Sequence, residues 1–163
     1  MSGMTTTDTT MAAINEAVVL GRQGGSSAAR VKLVALWESI GVDGDPLHRC
    51  TLAHYLADLY DHAADSLTWD VRALDAADTL TDERARQQHA SLSVQGFYPS
   101  LHLNLADDYR RLGAFDTARR HLDAAEARTD VLTDDGYGAG VRAGIDNVRN
   151  ALAEGSTERL PTH

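Results

Sequence analysis

Cys50, His54, Asp58 and His62 stand four residues apart. Inside one helix that spacing sets them in a single, slowly turning row. Thiolate, imidazole and carboxylate at such spacing are donors suited to zinc or copper. A row of four covers about 18 Å at the helical rise, so one ion could take only a neighbouring pair. A third ligand would have to come from elsewhere, and His48, His89 and His102 are the candidates. The chain has no Cys-x2-Cys and no His-Glu-x2-His. The plainer reading therefore leads: Cys50 is a small buried hydrophobe and His54 a polar groove residue. No cofactor is expected, and Cys50, His54 and His62 stand only as the rival set for a metal or small ligand. Cys50 with His54 also pairs a nucleophile with a base, but one continuous helix offers no oxyanion donors. The stretch "DDGYGAG" at 134–140 lacks the lysine and the preceding strand of a phosphate loop, and no Gly-x-Ser-x-Gly elbow occurs. The chain is expected not to be an enzyme.

The elements that must hold these residues read as helices. Met11 to Arg22, Ala29 to Ile40, Pro46 to Ala64 and Ser66 to Leu80 each carry an apolar face. Asp45-Pro46 is a helix start, a capping carboxylate followed by proline at the first helical position. A further helix is expected from about 82 to Val94. Gly96 and Pro99 then either kink it or split it from the next, since proline removes a donor and clashes one turn back. Leu101 to Leu112 and Phe115 to Arg128 follow, with Gly113 between them. Val141, Ile145, Val148 and Leu152 form a last helical stripe. No strand-like alternation appears, and the short links imply antiparallel neighbours. Residues 1–10 are expected to be disordered, 11–153 to form one α-helical domain, and 154–163 to be a flexible tail.

Bulk properties narrow the function. The chain has 163 residues, 43% of them apolar, which suits one domain with a real core. The formal net charge of −9 argues against a general nucleic-acid or anionic-membrane binder. The Arg-Arg pairs at 110–111 and 119–120 are flanked by aspartates. Cys50 is the single cysteine, so no internal disulfide forms and nothing points to an oxidising compartment. No signal-like or membrane-spanning run is present, and a cytoplasmic setting is expected.

Three segments repeat. Leu56-Ala57-Asp58 recurs as Leu105-Ala106-Asp107, Leu74-Asp75-Ala76-Ala77 as Leu122-Asp123-Ala124-Ala125, and Leu80-Thr81-Asp82 as Leu132-Thr133-Asp134, at offsets of 49, 48 and 52 residues. Small alanines let one helix approach another closely, while the leucines and tyrosines beside them fill the seam. The pattern His102-x2-Leu105-Ala106-x2-Tyr109 followed by Ala118-x3-Leu122 resembles the tetratricopeptide repeat, Trp-x2-Leu-Gly-x2-Tyr then Ala-x3-Phe. An earlier copy reads Ala53-x2-Leu56-Ala57-x2-Tyr60, and a weaker one Ala17-x2-Leu20 with Ala29-x3-Leu33. The chain is also similar to small actinobacterial tetratricopeptide-like proteins. The resemblance implies an all-α, right-handed solenoid of helical hairpins, about three degenerate repeats with a C-terminal capping helix.

It further implies a concave groove lined by the first helix of each pair. One copy would contribute Thr51, His54, Asp58, Asp61 and His62. The other would contribute Ser100, Leu103, Asn104, Asp107, Arg110 and Arg111. The leading expectation is a non-enzymatic adaptor that holds a protein or peptide segment there, with no nucleic acid and no membrane as partner. Asn104 falls where groove-type members hold a peptide backbone. His54 and Asp58 stand where acidic-tail-binding members need other residues, so a partner with basic or polar groups fits better. Beside the metal or small-ligand rival stands a third reading, a homo-oligomer joined through Trp37 or Trp69.

Overall fold

In the computed structural model, residues 8–84 and 94–161 are described. Every regular element among them is helical. The α-helices are α1 (Thr9–Arg22), α2 (Ser26–Ile40), α3 (Pro46–Ala57), α4 (Ala63–Ala77), α5 (Tyr98–Arg111), α6 (Phe115–Glu126) and α7 (Gly136–Ala153). The expected helix from 82 to 94 falls largely outside the described residues. Val94–Phe97 is a 3-10 turn leading into α5, whose first turn holds Pro99, where a missing donor costs nothing. Among the described residues no helix is long and apolar enough to cross a membrane.

The helices pack mainly as sequential pairs: α1 with α2, α3 with α4, α5 with α6. Helix α4 packs on α5 and joins the two halves, and α7 lies on α5 and α6. Two apolar clusters result. The first centres on Ile14, Leu33, Leu52, Leu56 and Trp69 and the second on Leu103, Leu122, Ile145 and Val148. The stripe Val141, Ile145, Val148 and Leu152 is buried as its spacing predicts. Trp69 is buried and meets Trp37 edge to face at 5.1 Å, with Arg49 and Arg72 over the rings. The two tryptophans, which the third reading offered as a homo-oligomer face, pack against each other within one chain.

Helix ends follow local chemistry. Asp8 and Asp45 accept the amides of Met11 and Leu47, both at 2.9 Å. Gly25 takes the cap position of α2, and Ser26 lies inside the helix. Gly113 (φ 81°) closes α5 in the left-handed region. Gly138 is needed in the first turn of α7, because a Cβ there would overlap the Thr133 carbonyl oxygen.

The largest departure from the sequence reading is at 58–62. One helix to Ala64 was expected, but α3 stops at Ala57 and α4 starts at Ala63. No glycine or proline marks this break. Side chains hold it instead. The Ser66 hydroxyl donates to the Ala57 carbonyl at 3.0 Å, and Arg30 donates to the Leu59 carbonyl at 2.9 Å. His62 becomes the cap position of α4 rather than a member of the α3 row.

Candidate functional site

Helices α3 and α5 bring His54, Ser100 and Asn104 together. Asn104 Nδ2 lies 3.4 Å from His54 Nδ1, and Ser100 Oγ lies 3.4 Å from His54 Nε2. They border a cavity of about 380 Å³ whose walls also include Asp58, Asp70, Asp107 and Asp108. Burial lowers the pKa of His54, against the opposing charge of Asp58, so its ring is held neutral.

Asp70 from α4 and Asp108 from α5 are 3% and 4% exposed. Their side chains lie against each other, and each acts on the other's titration. Burial raises Asp70 well above the carboxylate range, and the neighbouring Asp108 and the charge of Asp58 add to it, against the opposing effect of Asn104. Burial pushes Asp108 up to about 7. Neither Asp70 Oδ1 nor Asp108 Oδ2 meets an N–H or O–H donor of the protein.

The sequence reading did not single out this pair. A signal was present. Asp70 sits on the stripe Ser66, Trp69, Ala73, Ala77 that α4 buries, and Asp108 continues the stripe Leu101, Leu105 of α5. A carboxylate on a core-facing stripe is the pattern to look for.

The other expected groove residues are placed as follows. Asp58 is exposed at the end of α3, and Leu103 is 1% exposed, a wall residue of the second core cluster. Arg111 donates to the Asp61 carbonyl at 2.6 Å. His62 is exposed and does not line the cavity. Arg110 was expected to face a partner, yet its side chain is fully buried. It binds Asp107 Oδ1 through Nε and Nη2 at 3.0 and 2.7 Å. Its remaining donors reach the carbonyls of Ser156 and Glu158, both at 2.7 Å.

Those carbonyls belong to the segment expected to be a flexible tail. After Gly155 (φ 66°) the chain turns back along the groove. Arg159 pairs with Asp61 at 2.8 Å, Leu160 packs on the second core cluster, and Arg159, Leu160 and Pro161 wall the cavity. Asp61, Asp107 and Arg110, all expected in the groove, thus meet or support the chain's own residues 156–161.

Cys50 lies away from this floor. It is buried beside a second cavity of about 370 Å³ that also touches Thr51, His54 and Phe97. Burial pushes its thiol up to about 12, so it stays protonated at neutral pH. With His62 on another element, the four-residue row is not continuous. Among the described residues no three His, Cys, Asp or Glu side chains are grouped to hold a metal ion. No family model, curated protein or solved structure matches the chain.

Proposed function

We infer that the chain is a non-enzymatic binding module that holds a short extended protein segment in the groove between α3 and α5. The observation that supports this is its own residues 156–161. There two backbone carbonyls are held by Arg110, a cation by Asp61, and an apolar side chain by the core edge. These are the three contacts a segment-binding groove supplies: backbone, charge and anchor. The preferred partner segment carries a basic residue followed by an apolar one, as Arg159-Leu160 does.

A stack of helical hairpins of tetratricopeptide type, with α7 as its cap, is the architecture this reading favours. Leu56-Ala57 and Leu105-Ala106 are all buried in the first helices of their pairs. In the second helices the matched Ala77 and Ala125 are both buried, while Leu74 is half-buried against a buried Leu122 and Ala76 buried against a half-buried Ala124. Equivalent burial at repeated positions supports a repeated hairpin.

The test is binding in trans. A chain ending at Gly155, shown by circular dichroism to remain helical, should bind a labelled peptide of residues 156–163. The intact chain should bind it at least about tenfold more weakly, because its tethered segment competes at high effective concentration. A helical truncated chain that leaves the peptide free at millimolar concentration would falsify the reading.

A further inference from the structure

Two buried, adjacent carboxyls cost stability, and an apolar pair of similar volume would avoid that cost. Here they form the floor of a cavity, and two of their oxygens meet no donor from the protein. The cations around the cavity are engaged at its edge. Arg22 lies over the Tyr55 ring, 5.9 Å from its centre, while Arg111 and Arg159 both donate to Asp61. The charge of Arg111 does act on Asp108, but Asp107 and Asp58 act in the opposite sense. Tyr55 and Tyr60 line the same space, and aromatic walls favour a cation over water.

We propose that this cavity binds one guanidinium or alkylammonium group, with Asp70 and Asp108 as its acceptors. A volume of about 380 Å³ suits a ligand of side-chain size. A guanidinium presents parallel N–H donors to carboxylate oxygens and needs no third ligand, in keeping with the lack of a three-residue metal cluster among the described residues. The cation can arrive free, as a small amine or guanidine, or as the Arg or Lys side chain of a segment in the groove. The second form rests on the segment-binding reading; the first does not.

The full-length, ¹⁵N-labelled chain is titrated with n-butylguanidinium and, separately, with its neutral isostere n-butylurea. Saturable shifts of the amides around Asp70 and Asp108 are expected with the cation, at an affinity at least about tenfold above the urea. They should be lost in the Asp70→Asn, Asp108→Asn double variant. Should that variant not fold, Asp108→Asn alone, which keeps side-chain volume and bonding, provides the comparison. Tail amides at 157–160 that stay in place identify a free small cation beneath the tail. Tail amides that move to free-peptide positions identify a segment's side chain. Equal response to butylurea, no response to the cation, or an undiminished response in the folded variant overturns the proposal. Failure of the trans-peptide test with butylguanidinium still bound would remove the segment reading alone.

Discussion

At the scale of single residues, the Asp70–Asp108 pair dominates the electrostatics of the site. Its effect on stability has a definite sign. The folded pKa of Asp108, about 7, lies above its unfolded value of 3.8, so folding takes up a proton between them. Stability from this group is therefore fully present below about pH 3.8 and is lost as pH rises through 7. Asp108→Asn removes that titration while keeping shape and hydrogen bonding. The variant should gain stability over the parent as pH rises, on the order of 1 kcal/mol or more by pH 8, where one pKa unit is worth about 1.4 kcal/mol. Denaturant melts at pH 4.5 and 8 measure this. A difference that shrinks with pH would show that Asp108 is ionised and well paired in the fold. Neither aspartate could be ranked by motif spacing. Each differs from a surface aspartate only in the stripe it interrupts, and Asp107, next in the chain, serves a different task by pairing with Arg110.

At the scale of elements, the helical class was legible because the 3.6-residue stripes of α5, α6 and α7 are clean, glycine follows α5 and α7, and a capping aspartate starts α7. The α3–α4 boundary was not legible, because its stop is made by long-range side chains. Arg30 of α2 and Ser66 of α4 take carbonyls that a continuous helix would have used internally. That boundary matters for chemistry, since it moves His62 off the row of Cys50 and His54. Ser66→Ala should cost about 1 kcal/mol, the usual net worth of one hydrogen bond. It should also raise amide exchange at 58–66 more than in α6. Uniform exchange with unchanged stability would show that the bond does not hold the turn.

At the scale of the whole molecule, the groove and its occupant come from the two ends of the sequence pattern. The groove helices were legible through the Leu-Ala-Asp repeat. The return of residues 156–161 was not, because a polar stretch after the last stripe looks like any frayed end. Only Leu160 and the buried charge of Arg110 distinguish it. Arg110 shows why position on a helix face is an incomplete guide: it sits among groove residues, yet the tail and Asp107 seal it from solvent. The central claim is that the groove selects a segment by one cation seated on an acidic face. The most direct measurement compares, on the helical chain ending at Gly155, the peptide of residues 156–163 with the same peptide carrying Arg159→Gln. The glutamine peptide should bind about tenfold more weakly at low salt, with the gap narrowing as salt screens the charge. Equal affinity of the two peptides would contradict recognition by that cation.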